Sequence, residues 1–178
     1  HSGLQLDQGL AGPLIVEEDN PHVEYDAEYV VVLDDFLEGE PDPPDRGSTG
    51  DGSRRGGDMG GMMNLFRPPY RGMMMNGQFG SKPPVFDVSE GDRVRLRFIN
   101  ASSATMFQVR TAGHQFDISH ADGRPVEPVT VDSFTFSPGE RYDAILTANT
   151  PGVWELLAAP VRGSEPGARG VIQYESAG

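Results

Sequence analysis

The chain has 178 residues, with 27 acidic side chains against 14 basic ones, a formal net charge of −13 and no cysteine. The missing thiols exclude disulfides, zinc–thiolate and iron–sulfur sites, cysteine nucleophiles and a blue-copper centre, which needs one Cys beside two His. The negative surface repels nucleic acid and anionic membranes, and no run approaches the roughly 18 apolar residues of a membrane helix. The length suits one domain with extensions. The first residues are neither basic nor followed by an apolar run, so no signal peptide is legible.

Taken in chain order, residues 1–13 are Gly- and Leu-rich and lead into Leu14-Ile15-Val16, a short buried-strand pattern opened by Pro13. Residues 17–22 (EEDNPH) read as a linker. The β-branched run at 27–33 (AEYVVVL) is a central-strand signal. Residues 37–72 form a long irregular stretch whose Pro-, Gly-, Asp- and Arg-rich first half cannot build a core, so an exposed, mobile loop is expected. From Val85 onward the pattern is all β. In Arg93-Val94-Arg95-Leu96-Arg97-Phe98 the apolar residues alternate with arginines, the period of two that marks a half-buried strand. Further strands are expected near 107–110, 116–119, 129–136, 142–147, 153–158 and 170–174. Turns are expected at Ala112-Gly113, Asp122-Gly123, Ser137-Pro138-Gly139-Glu140 and Thr150-Pro151-Gly152. Short strands at this spacing, with almost no helical periodicity, predict an antiparallel sandwich or barrel.

Three segments carry a resemblance. The first is HSGLQLDQGLAGPLIVEE at 1–18. The second is Met75-Asn76-Gly77 with the run from Val85 to Ala101. The third joins His114-Gln115-Phe116, Ala121-Asp122-Gly123-Arg124-Pro125-Val126 and Ser137-Pro138-Gly139-Glu140-Arg141-Tyr142-Asp143. In this order they resemble a multicopper oxidase of the laccase and copper-resistance type. The resemblance implies an all-β, cupredoxin-like Greek-key sandwich or barrel with a long irregular Met/Gly-rich loop. Residues 1–20 would be the closing strand of a preceding cupredoxin domain plus linker, and residues 21–178 the middle cupredoxin domain, with the loop at about 37–72. It implies copper in the intact enzyme and flanking cupredoxin domains as partners, outside the cytoplasm, in an extracellular or periplasmic setting. It implies one-electron oxidation of phenolic, amine or cuprous donors coupled to reduction of O₂ to water. This part would serve as scaffold and cleft wall, without catalytic or complete cofactor-binding residues of its own.

His1 matches the last histidine of the family's Trp-Tyr-His-Ser-His motif and would be a ligand of the type 3 copper pair. The other His-x-His, His-x-x-His and His-Cys-His motifs are absent from this chain. His114 and His120 flank an expected strand. Six residues apart on one face, they would stand roughly 20 Å apart, too far for one metal ion, and read as turn-capping or surface residues. Asp34-Asp35 and Glu17-Glu18-Asp19 read as solvated strand ends. Six of the seven methionines fall within 17 residues: Met59, Met62, Met63, Met73, Met74 and Met75. Thioethers are soft ligands that select Cu(I). Met59, Met62 and Met63 are therefore candidates for cuprous capture, and a copper-binding or assembly module is the alternative to the oxidase fragment. Met73–75 also read as a strand, since methionine is an adaptable apolar filler.

Lys82 is the one lysine among the basic residues; arginine supplies the rest. An acidic soluble protein from a GC-rich genome has this composition, and so does a halophilic one, in which salt screens the self-repulsion. Salt adaptation predicts that the unfolding midpoint rises steadily from dilute buffer to molar KCl; equal stability in both would reject it.

Overall fold

A computed structural model describes residues 5–6, 9–37 and 70–175. Eleven strands fill these residues: β1 (Ala27–Phe36), β2 (Gly72–Met75), β3 (Val85–Val88), β4 (Arg93–Asn100), β5 (Phe107–Thr111), β6 (Phe116–Ala121), β7 (Arg124–Val131), β8 (Ser133–Phe136), β9 (Arg141–Thr147), β10 (Val153–Pro160) and β11 (Ala168–Tyr174). They form two facing sheets, one ordered β2-β1-β4-β9-β6-β7 and the other β3-β11-β10-β5-β8. This is the all-β, cupredoxin-like sandwich expected from the sequence.

The alternation along β4 sets the core. Val94, Leu96 and Phe98 face inward with Ala144 and Leu146 of β9, Val31 and Leu33 of β1, and Phe107, Val109 and Leu156 of the opposite sheet, all almost fully buried. Phe98 sits edge-on to Phe116, Phe134 and Phe136, an aromatic cluster that ties both sheets together. Met73 and Met75 of β2 are buried in this core, so these methionines act as packing residues.

The turns follow from glycine and asparagine. Asp122-Gly123 joins β6 to β7 with both residues at positive φ, as does Asn76-Gly77 after β2. That pairing is the hairpin turn whose twist matches the flanking strands. The Asn76 side chain also continues the sheet: its Oδ1 accepts from Val32 N–H at 2.7 Å and its Nδ2 donates to Val30 O at 3.0 Å.

The structure departs from the sequence expectations in four places. Leu14–Val16 is not a buried strand: it is coil, with Leu14 88% exposed. A strand needs a neighbouring edge to bond to, and neither sheet supplies one here. The expected strand at 129–136 is two, β7 and β8, which turn a corner at Asp132 and enter different sheets. The sheets are mixed rather than antiparallel, because β1 runs parallel to β4 and β3 parallel to β11. Parallel neighbours need a crossover, and the intervening strands in the opposite sheet provide it. Finally, Asp35 is not solvated. It is 1% exposed and accepts from Thr105 Oγ1 at 2.7 Å and from the backbone N–H groups of Ser103 and Ala104. Position 35 lies in phase with Val31 and Leu33, so alternation sends the carboxylate inward, where the β4–β5 loop closes over it.

Gly170 marks where the sheets come closest. A Cβ there would lie 2.7 Å from Met75 Sδ and 2.8 Å from the Phe86 ring, both fully packed. Gly170→Ala is expected to destabilise the sandwich by about 1–3 kcal/mol, read as a lower denaturant midpoint at unchanged slope; an unaltered midpoint would show that β2 and β11 pack more loosely than this.

Candidate functional site

One cluster of buried charged residues lies on the outward face of the six-stranded sheet. The phase of β4 that buries Val94, Leu96 and Phe98 sends Arg95 and Arg97 outward. Both are nonetheless buried, Arg95 to 2% exposure. A buried guanidinium requires a carboxylate. Asp143, opposite Arg97 on β9, supplies it: both Arg95 Nε and Nη2 donate to Asp143 Oδ2, at 3.1 and 2.5 Å. Arg97 Nη2 donates to Glu28 of β1 at 2.8 Å and reaches Glu17 at 3.4 Å. Burial works against the Arg97 charge, but the hydrogen bond and charge of Glu28, with Asp143 and Glu17, outweigh it and hold the guanidinium more firmly protonated than usual.

His120 reaches this face through a bulge. In the β6–β9 ladder Ile118 pairs with Ala144 and His120 with Asp143, so Ser119 is an extra residue with no partner in that register. Without the bulge His120 would share the inward phase of Ile118; with it, the imidazole stands beside Asp143. Its Nδ1 bonds Ser119 Oγ at 2.9 Å and its Nε2 bonds Glu18 Oε1 at 3.1 Å.

Glu18 is the centre of a clasp. Its second oxygen lies 3.6 Å from Arg95 and accepts from His22 N–H at 3.3 Å. His22 packs edge-on against His120 and reaches Val126 O, while Tyr25 lies over the Arg95 guanidinium. Residues 14–18 thereby close a cavity of about 260 Å³ against β4, β6 and β9. Burial raises the Glu18 pKa, but hydrogen bonds from His120 and the His22 backbone, with the charges of His120 and Arg95, overcome it and hold the carboxyl below its ordinary range.

His120 is therefore buried rather than the surface residue the sequence suggested, while His22 is exposed in the linker. His114 does cap the Ala112-Gly113 turn, but from a buried position: it precedes β6, is 8% exposed, and bonds Tyr174 Oη through Nε2 and Ala112 O through Nδ1. The bulge turns His120 to the outer face, and the two serve different clusters. Each has both ring nitrogens engaged by protein groups, and His22 Nε2 is engaged as well. Among the described residues no group of three or more His, Cys, Asp or Glu is placed to hold a metal ion. These residues do not fit a copper site. His1, Met59, Met62 and Met63 lie outside the described residues.

Sequence reading missed the clasp because Glu18, Arg95, Asp143 and His120 sit on four separate segments. A signal was present: arginines on the second face of a strand flanked on both sides need carboxylates, and Asp143 and Glu28 lie in register to supply them.

A carboxyl with a depressed folded pKa contributes stability that is present above its unfolded value and lost as pH falls through the folded one. Wild type is thus expected to exceed Glu18→Gln in Tm by about 2–4 °C at neutral pH, for roughly 1 kcal/mol. The gap should close as pH drops below the ordinary value of 4.5; a gap independent of pH would remove Glu18 from the clasp.

Residues 27–177 match the family model described as multicopper oxidase. Multicopper oxidase MmcO of Mycobacterium tuberculosis is 34% identical, over 89% of this chain and 34% of that protein. Copper resistance protein A of Escherichia coli is 30% identical, over 82% of this chain and 29% of that protein. Among solved structures, blue copper oxidase from Nitrosomonas europaea aligns with a TM-score of 0.66 at 27% identity, over 92% of this chain and 49% of that one. A laccase from Botrytis aclada, at 22% identity and a TM-score of 0.73 over 99% of this chain and 34% of that one, shares the fold. The chain spans about a third of the length of the curated relatives it matches. By the family match across both sheets, it belongs to the multicopper oxidases.

Proposed function

We propose that this chain is the scaffold segment of a multicopper oxidase: residues 1–20 complete a preceding cupredoxin domain and lead out of it, and residues 21–178 form the middle domain that spaces two metal-bearing domains and walls part of the substrate cleft. The observation that carries this reading is the clasp. A linker whose half-buried Glu18 is held by buried Arg95 and His120 of a β-sheet fixes the direction in which the preceding chain leaves that sheet. Partly exposed contacts of this kind add only about 1 kcal/mol each, so they serve geometry more than cohesion. The exposed Leu10, Leu14 and Val16, on the segment leading into the clasp, suit a strand that finds its partners in another domain.

In the intact enzyme, outside the cytoplasm, copper would take single electrons from phenolic, amine or cuprous donors and pass them to O₂. His1 would contribute one ligand to the binuclear pair. The residues of this domain hold no part of that chemistry. Their work is to orient: Arg95 and Asp143 fix Glu18, and Glu18 fixes the linker.

The test is oxygen uptake with a methoxyphenol donor. The copper-loaded 178-residue chain alone is expected to consume no O₂ and to show no thiolate–copper colour, whereas the full natural polypeptide carrying it should consume O₂ and show that colour. Turnover by the isolated chain, or none by the full polypeptide, would overturn the reading.

A further inference from the structure

At the end of the sandwich opposite the β4–β5 loop, three oxidisable or basic rings are in contact: Tyr174 of β11, Trp154 of β10 and His114. Tyr174 Oη lies 2.6 Å from His114 Nε2, with the rings stacked at 27°. The other imidazole nitrogen, Nδ1, lies 3.1 Å from Ala112 O. A carbonyl can only accept, so the proton sits on Nδ1 and Nε2 is a free acceptor. The Tyr174 hydroxyl therefore donates to His114, while its oxygen accepts from Thr150 N–H at 3.2 Å. Trp154 packs edge-on against His114 at 5.6 Å, and its Nε1–H donates to Thr150 O at 2.7 Å. The backbone of one residue, Thr150, thus joins the indole to the phenol, its N–H on Tyr174 and its C=O on Trp154. Tyr174 is 8% exposed, whereas Trp154 is only half-buried.

We propose that Tyr174 and His114 form a proton-coupled redox pair, with Trp154 as its outlet to the surface. A one-electron oxidant, such as a diffusing organic radical, takes an electron from Trp154. Tyr174 refills it, and as that electron leaves, the Oη proton passes along the hydrogen bond to His114 Nε2. The products are the reduced oxidant, a neutral tyrosyl radical and an imidazolium; an electron from a reductant and return of the proton restore the phenol.

Two further observations fit. Burial, with the charge of Glu90, pushes the Tyr174 phenol above its ordinary pKa despite the Thr150 hydrogen bond. No phenolate is on hand, so the electron can leave only if the proton has an acceptor. His114 also lines a polar cleft of about 580 Å³ shared with Asp117 and Asp132, so the proton acceptor borders solvent. The pair uses only this chain's residues and an external oxidant, so it stands apart from the scaffold reading.

The experiment is flash photo-oxidation of the full chain with a ruthenium tris-bipyridine complex and a sacrificial electron acceptor, followed by electron paramagnetic resonance and transient absorption. A neutral tyrosyl radical is expected in wild type, retained in Tyr142→Phe and lost in Tyr174→Phe. Its formation should slow in D₂O. It should slow by roughly 10²-fold in His114→Phe, the range a positioned proton acceptor contributes. An undiminished radical in Tyr174→Phe would overturn the proposal. So would an absent solvent isotope effect in wild type, a reading that holds even if the His114 variant fails to fold.

Discussion

A guanidinium placed on the outer face of a central strand cannot remain unpaired, and the Arg95–Asp143 contact answers that demand. It is the constraint from which the outer architecture of this domain follows. β4 is flanked on both sides, so its outward residues lie in the middle of a sheet rather than at an edge. Once Arg95 is there, β9 must present a carboxylate in reach. The remaining donor capacity on the guanidinium then draws in the Glu18 carboxylate, and with it the chain that precedes the domain. Arg97 repeats the arrangement with Glu28 and Glu17. An apolar sandwich would fold without any of this; the ion pairs decide what lies against it and in what direction.

Much of the inner architecture was legible in the residues. The alternation of Val94, Leu96 and Phe98 located the core face, and the Asp-Gly and Asn-Gly pairs located hairpin turns, because those features are local and depend on backbone sterics. The outer architecture was not, because it depends on register. A period of two says that Arg95 faces away from Phe98 but not which β9 residue stands opposite. The bulge at Ser119 inverts the phase of His120, and nothing in the local sequence announces an unpaired residue. Asp35 was misjudged for a related reason: its neighbour Asp34 made a solvated pair plausible, whereas its phase with Leu33 pointed inward. At 129–136 an apolar–polar alternation, broken only at Asp132-Ser133, hid a change of sheet at Asp132.

The division of labour within the molecule is spatial. One outer face is given over to charges that grip the incoming chain. The opposite end of the sandwich holds the aromatic and imidazole rings of Trp154, Tyr174 and His114, with hydrogen bonds that settle each proton. Between them lies a core of phenylalanine, leucine and valine with no polar function. On the proposed reading, these two regions would answer two needs of an oxidase: fixed spacing between centres and control over where an oxidising equivalent can go.

The pairing of β1 with β2 has a consequence for how such a domain changes over time. Phe36 stands opposite Gly72, and Leu37 and Tyr70 are both buried, so whatever lies at 38–69 departs from and returns to one anchored point. Closing a longer excursion there costs only about 0.6 kcal/mol for each doubling of its length. The β1–β2 connection is therefore a point where added length costs the sandwich little.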